Sequence, residues 1–505
     1  MTSDSPPPAA LDAEREHILD SSEAGRLFLS GGGLRLIAFA GGVLVGLGVT
    51  PLVVHHLGAA RWGDYVKVSS LLFIVAAVTE GGLGQMGIRE LSVGDAVSSR
   101  LFMRDLVGLR IALTSVGVLA AVAFGALAGW SGQVVAGVAF AGLGSLLINL
   151  AGAFALPLGA GLRLGWMALN DFLPQLASAL LMGAMVLAGA GLLPFYLAPV
   201  AAGVAGLALT AALVRGEFSL LPSFAVRRWR SLLAQTFVYA VATATGAVYF
   251  RIAMVATSLL AGPRQTGYFA LSFRILELTT VVPWLLLGSA FPILVRSAYN
   301  DPARLRYALG RLCEGAVILG GWFAFCLVIG APFAIHVLSG GGHAFAASIP
   351  VLRILGGAIA ATFLLATFSY TLLSLQMYRQ LVGLNVATLI LAIGLSPVLI
   401  SPLGARGAGY LSLTLEVVLC VGYAVVLFGA RPDLRPSPAG LQRPLAALAA
   451  AFAVGVVLDG HPVVGVVAGT LVLAVVLVVL RAVPPELVEL LKRRREPSPR
   501  DGTRP

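Results

Sequence analysis

Charge is scarce in this 505-residue chain: Asp, Glu, Lys and Arg make up 11% of it, against about 25% in ordinary soluble domains. Lysine is almost missing. Lys67 and Lys492 are the only two among 34 basic residues, and neither follows a glycine. A nucleotide-binding P-loop needs a Gly-Lys-Ser/Thr step. Such a loop is therefore excluded, and any transport draws on an ion gradient, a substrate gradient or a separate motor. Cysteine is as thin. Cys313, Cys326 and Cys420 are odd in number and lie in or beside apolar runs, so neither a disulfide framework nor a zinc spacing is present. The chain has no His-Glu-x-x-His, Cys-x-x-Cys or Gly-x-Ser-x-Gly turn, and no cofactor or metal is expected. Long polar loops are missing too: the connections near 129–133, 190–194 and 459–462 hold almost nothing. That argues against a membrane glycosyltransferase or polymerase, whose carboxylates sit on sizeable loops, and the chain is expected not to be an enzyme.

What is present is apolar residue in long runs. The chain is 58% hydrophobic with mean hydropathy +0.93, and a helix of about 20 apolar residues crosses a bilayer. The predicted fold class is an all-α polytopic membrane protein of about 14 transmembrane helices. The windows fall near 34–56, 64–88, 105–129, 133–156, 169–190 and 194–214, then 232–260, 267–295, 312–338, 349–375, 381–400 and 407–429, and finally 444–459 and 462–481. They predict an N-terminal tail (1–33), a six-helix lobe (34–215), a linker (216–231), a second six-helix lobe (232–430), two further helices with their preceding loop (431–482) and a basic tail (483–505). Residues 1–33 are polar, with Pro6, Pro7 and Pro8; they lack the apolar core of a signal peptide and read as a cytoplasmic tail.

The net charge is +11, yet no basic face suited to nucleic acid exists, because the arginines are scattered over loop ends. With the N-terminus placed in the cytoplasm, 26 basic residues fall inside and only Arg61, Arg264 and Arg406 outside. That asymmetry is the positive-inside pattern; it predicts a plasma-membrane protein with both termini cytoplasmic. The stretch from Pro484 to Arg495 reads as an amphipathic helix running into a basic cluster, with the anionic inner leaflet as its partner.

A faint repeat is visible. Trp62-Gly63-Asp64-Tyr65 and Thr266-Gly267-Tyr268-Phe269 open the second and eighth spans, and aligning Gly63 with Gly267 gives an offset of 204 residues. The matching direction predicts two parallel repeats of six helices, with a site between the halves.

Charges inside spans are costly and mark cavities or partners. The basic ones are Lys67, Arg110, Arg251, Arg274 and Arg353; the acidic ones are Glu80, Glu277 and Glu416, with Asp171 near a span start. Arg110 lies near the inner end of its span and is expected to snorkel to the cytoplasm. Lys67, Arg274 and Arg353 fall four to seven residues below the outer ends of the predicted spans, and Arg251 about nine. Arg251, Arg274, Lys67 and Arg353 are the candidate substrate-binding cations, since a guanidinium fork matches phosphate oxygens in pairs. Snorkelling of Lys67 and a neutral Arg274–Glu277 pair on one helix face are the alternatives. Glu80, Glu277 and Glu416 would bind a coupling cation or balance the arginines. His55 and His56 read as interfacial anchors.

The stretch from Leu34 to Leu91 resembles the Wzx-type oligosaccharide flippases of the multidrug/oligosaccharidyl-lipid/polysaccharide exporter superfamily. Thr50-Pro51, Leu57-Gly58, Trp62-Gly63-Asp64-Tyr65, Glu80-Gly81-Gly82-Leu83-Gly84 and Arg89-Glu90-Leu91 carry the likeness, with Gly267-Tyr268-Phe269 and Arg274 as second-half counterparts. The resemblance implies two six-helix lobes around a central cavity, two peripheral helices, and alternating access for an undecaprenyl-pyrophosphate-linked oligosaccharide. It implies cationic cavity residues, for which Arg251, Arg274 and Lys67 are candidates by depth; it does not extend to Arg353. Polysaccharide polymerases or glycosyltransferases would be partners. A cation-coupled drug or metabolite exporter of the same superfamily and a peptidoglycan-precursor flippase are the alternative readings.

Overall fold

The computed structural model describes residues 22–480 apart from 94, 219–220 and 459. Every regular element among them is helical. In chain order these are α1 (Ser22–Glu80), α2 (Leu83–Val93), α3 (Ala96–Leu127), α4 (Gly132–Ala160), α5 (Leu164–Leu187), α6 (Leu192–Phe195), α7 (Ala198–Val214) and α8 (Val226–Leu260). Then come α9 (Gly262–Asn300), α10 (Pro302–Ile329), α11 (Ala331–Leu338), α12 (Ser348–Ser374), α13 (Tyr378–Leu403), α14 (Ala405–Ala430), α15 (Pro438–Val457) and α16 (Pro462–Val479). The expected basic tail and its Pro484–Arg495 helix lie outside the described residues.

Thirteen helical stretches are long and apolar enough to cross a membrane. The first, Gly33–Ser92, runs for 60 residues, far beyond the roughly 20 that one crossing needs. Gly58 divides it: φ 70° and ψ 175° break the helix there, a conformation that costs a glycine little and other residues much. Split at Gly58, the stretches number fourteen, as the apolar windows predict. Leu127, Leu187 and Val457 are 89%, 91% and 84% exposed. Large apolar side chains in such positions need hydrocarbon around them. The chain is a multi-pass membrane protein.

The duplication hinted at by Gly63 and Gly267 is written into the backbone. Left-handed residues recur at matching places in the two sets of six helices: Gly58 and Gly262, Gly129 and Gly340, Leu162 and Gln376, Gly189 and Gly404. The separations are 204, 211, 214 and 215 residues and rise steadily along the chain, as expected when each loop of the second copy has gained a little length. Gly81, Gly82 and Gly341 have no such counterpart.

By compactness the chain divides into two units. The first holds residues up to Leu271 with His336–Phe345 and Ala392–Ala408; the second holds Ser272–Ile335, Ala346–Leu391 and the chain from Gly409 onward. In the first unit, Leu83, Met103, Leu106, Leu109, Phe154 and Leu158 form a dry core between α2, α3 and α4. Small residues bring α4 and α7 together: a Cβ on Gly144 would lie 2.6 Å from the Val200 nitrogen. Such small-residue faces replace the hydrophobic effect as glue between helices in lipid.

In the second unit, α15 and α16 dock on α10 through Phe325, Ile329, Leu448, Ala451 and Leu473. Trp322 Nε1 donates to Thr470 Oγ1 at 3.1 Å. The predicted ninth span, 312–338, is two helices. α10 ends at Ile329 with Gly330 as its cap, and the short α11 follows.

Candidate functional site

The second half of α1, from Ala59 to Glu80, carries three of the polar features singled out in the sequence. At a rise of about 1.5 Å per residue they are strung along the helix, not gathered. Lys67 is buried. Its Nζ lies 2.6 Å from Asp64 Oδ1 and 4.8 Å from the centre of the Trp130 ring. Tyr196 stacks on Tyr65 with ring centres 5.8 Å apart and donates its hydroxyl to the Asp64 carbonyl at 3.0 Å. The lysine is thus neutralised within its own helix and covered by an indole.

Arg251, on α8, lies about six residues further along α1. It is 8% exposed, and its guanidinium carbon sits 4.5 Å from the Phe73 ring centre and 5.3 Å from that of Phe250. A guanidinium against ring faces keeps its charge at lower desolvation cost than one against methyl groups.

Glu80 ends α1 and starts α2. Its carboxylate accepts the N–H of Gly82 at 3.1 Å and of Gly84 at 2.8 Å, capping the orphan amides that open a helix. Arg110 Nη2 stands 3.7 Å from Glu80 Oε1, and Nη1 donates to the Asn149 carbonyl at 3.0 Å. Asn149 in turn donates to Thr114 Oγ1 at 3.1 Å. This corrects the expectation that Arg110 snorkels: it is 5% exposed. The cause is a carboxylate on a neighbouring helix, and an anion at that distance holds a cation more cheaply than stretching the side chain to water. Gly84 and Gly152 leave room for it, since a Cβ on either would approach the Arg110 guanidinium at 3.7 and 3.3 Å.

In the second unit, Arg274 pairs with Glu277 one turn on, at 3.0 Å, with side chains 35% and 23% exposed. Glu416 on α14 accepts the Thr362 hydroxyl at 3.1 Å. Arg353 is half-buried on α12, nine residues and so about 13 Å from Thr362 along the helix axis. Lys67 and Arg274 lie further inside their helices than the sequence windows place them, because α1 resumes at Ala59 and α9 starts at Gly262. Asp64 and Thr266 are satisfied inside their helices: Asp64 pairs with Lys67, and Thr266 Oγ1 donates to the Gly262 carbonyl at 2.8 Å.

Sequence reasoning missed the residues that govern the charges from elsewhere in the chain. Phe73, Trp130, Asn149 and Thr362 carry no periodic signal. The Asp64–Lys67 spacing of three was legible as a helix-face pair. Arg35 Nε reaches Asp171 Oδ2 at 2.8 Å, tying α1 to α5 and giving Asp171 a structural partner.

Around Gly63 and Gly267 the two repeats touch. A Cβ on Gly63 would overlap the Pro263 carbonyl oxygen, and one on Gly267 would overlap the Ala59 carbonyl oxygen. Ala59 and Pro263 are again 204 residues apart, so each copy offers the other the same surface. Such reciprocity is the mark of a two-fold arrangement.

No protein-family model and no curated protein matches the chain, whereas solved structures do. "Lipid II flippase MurJ, inward closed conformation" superposes with a TM-score of 0.73 at 12% identity, over 89% of this chain and 99% of that one. A multidrug resistance MATE family transporter of the MOP superfamily is similar in its inward-facing form, with a TM-score of 0.60, 16% identity and coverage of 79% and 97%. An outward-facing structure of a multidrug resistance MATE family transporter of the MOP superfamily gives 0.56, 14%, 81% and 96%. At these identities the likeness concerns the fold, and the chain has the helical fold of those flippases and exporters.

Proposed function

We propose that this protein is a flippase that carries an undecaprenyl-pyrophosphate-linked oligosaccharide from the inner to the outer leaflet by alternating access, for surface polysaccharide synthesis. The observation that carries the reading is the extent of the likeness to the lipid II flippase. Residues up to Ala430 are 430 of 505, about 85% of the chain, so a match over 89% reaches past the twelfth span into the last helix pair. The multidrug exporters match over about four-fifths. The intramembrane arginines support a phosphate-bearing cargo: Arg251, Arg274 and Arg353 would meet the diphosphate, with Arg251 first among them for its burial against two rings, whereas Lys67 is already held by Asp64. The sugar would cross in a polar space while the polyprenyl tail stays in lipid. With both termini in the cytoplasm, an inside-negative potential favours outward movement of a polyanion by about 2.3 kcal/mol per charge per 100 mV. Polymerases and glycosyltransferases acting on the same glycan would be its partners.

A peptidoglycan lipid-precursor flippase shares this chemistry and differs in the sugar. A cation-coupled exporter is favoured by one observation, the half-buried Glu416 with the Thr362 hydroxyl on its carboxylate, which is suited to a proton or sodium ion; Glu80 and Glu277 are instead engaged by arginines.

In proteoliposomes holding lipid-linked oligosaccharide, Arg251→Ala should slow outer-leaflet arrival about tenfold or more, the scale of one lost charge-assisted contact. Arg251→Lys should recover part of the rate. Wild-type transport by Arg251→Ala would remove Arg251 from the mechanism. Faster movement of lipid II than of the oligosaccharide carrier would select the precursor flippase.

A further inference from the structure

Two helices start side by side at one end of the first unit. The Ser223 N–H donates to the Arg104 carbonyl at 2.9 Å, and a Cβ on Gly108 would overlap the Ser223 carbonyl. Arg228 Nη1 lies 3.0 Å from Asp105 Oδ2, and Asp105 is buried. Trp229 and Leu232 pack on the core of Met103, Leu106 and Phe154. The start of α8 is thereby fixed against the start of α3.

That junction holds five arginines: Arg100 and Arg104 on α3, and Arg227, Arg228 and Arg230 on α8. Asp105 answers one of them. Arg104 Nε is buried with no hydrogen-bond partner among the described residues. Arg100, Arg227 and Arg230 are exposed, and among the described residues no carboxylate pairs with them. The other acids at this end are few. The Ser98 hydroxyl and then its N–H, at 2.8 Å, hold the Asp95 carboxyl below the usual range. Glu217 pairs with Arg163 at 2.6 Å, and Glu90 is exposed on α2. No acidic residue occurs from 218 to 276. Both helices also present their positive N-terminal ends here.

Apolar side chains beside the arginines are largely exposed among the described residues: Leu221, Phe224, Val226 and Phe237 are 69%, 61%, 68% and 64% exposed. A soluble anion leaves those side chains in water, whereas a lipid supplies the anion and the hydrocarbon together.

We propose that this junction is a docking site for the phosphodiester headgroup of an anionic glycerophospholipid, held by Arg227 and Arg230 with Arg100 and Arg104 beside them. The proposal does not depend on the cargo proposed above.

Native mass spectrometry of the whole protein, titrated with phosphatidylglycerol or phosphatidylcholine, tests it. Wild type should retain phosphatidylglycerol preferentially. Arg227→Gln/Arg230→Gln should weaken that retention about 30-fold, at about fivefold per arginine near a membrane surface. Arg227→Lys/Arg230→Lys should keep most of it. Arg296→Gln/Arg379→Gln removes the same charge from exposed positions elsewhere and should leave it unchanged. An equal loss in that control would overturn the site, as would equal retention of the two lipids by wild type. Displacement by inorganic phosphate at matching concentration would reassign the patch to a soluble ligand and overturn the lipid proposal. On the unaltered protein, rising salt should strip phosphatidylglycerol and spare phosphatidylcholine; insensitivity to salt counts against the arginines.

Discussion

Gly267→Ala should lower thermal stability by several degrees and cut the yield of folded protein, and Gly63→Ala should do the same. Each methyl would meet a backbone carbonyl of the partner helix, Ala59 for Gly267 and Pro263 for Gly63. A carbonyl cannot rotate aside as a side chain can, so α1 and α9 must part. Overpacking of this kind costs about 1–3 kcal/mol, and more where backbone is struck. The comparison is internal. Gly183, Gly246 and Gly394 lie in helices with nothing near the place a Cβ would take. Alanine there should be neutral or stabilising by up to ~1 kcal/mol, from helix propensity alone. Melting curves of the five single variants in one detergent decide the matter. Equal effects at all five positions would refute the crossing as a close backbone contact.

Breaking the Glu80–Arg110 pair should lower stability measurably. Glu80→Ala strands a guanidinium that is 5% exposed with the Asn149 carbonyl as its remaining acceptor in this network, and it uncaps α2 as well. Removing one partner of a buried pair costs ~3–5 kcal/mol. The Glu80 side chain is 38% exposed, so water screens part of that and about 2 kcal/mol is expected. Arg110→Met should cost less, because Gly82 and Gly84 still satisfy the carboxylate. The double variant Glu80→Ala/Arg110→Met should be more stable than the sum of the single losses. A cycle that adds within about 0.5 kcal/mol would show the pair to be uncoupled.

Much of the fold was legible because bilayer crossing is a one-dimensional constraint. Fourteen apolar windows and one offset of 204 residues placed the helices and pointed to the duplication. Helix ends were less legible. The windows put the second span at 64 and the eighth at 267, whereas the helices begin at Ala59 and Gly262. The glycines that start those helices, Gly58 and Gly262, are two among 60, and only their dihedral angles distinguish them. The polar network was half legible. Arg274 with Glu277 and Asp64 with Lys67 are three apart on one helix face, and spacing alone suggests them. Arg110 with Asn149 is separated by 39 residues, and Arg35 with Asp171 by 136. Such partners depend on which helices become neighbours, which periodicity does not encode. For the same reason Arg251 could be assigned a depth but not the Phe73 ring that covers it.

The meeting of Ala59, Gly63, Pro263 and Gly267 is made almost wholly of main chain. Its members have no rotamers to freeze, so bringing the two strands of the crossing together demands little side-chain ordering. It is strict in shape yet light in free energy, held by dispersion and by Cα–H donors near carbonyls. A seam with those properties fixes where the two helices cross while freezing hardly any side-chain freedom.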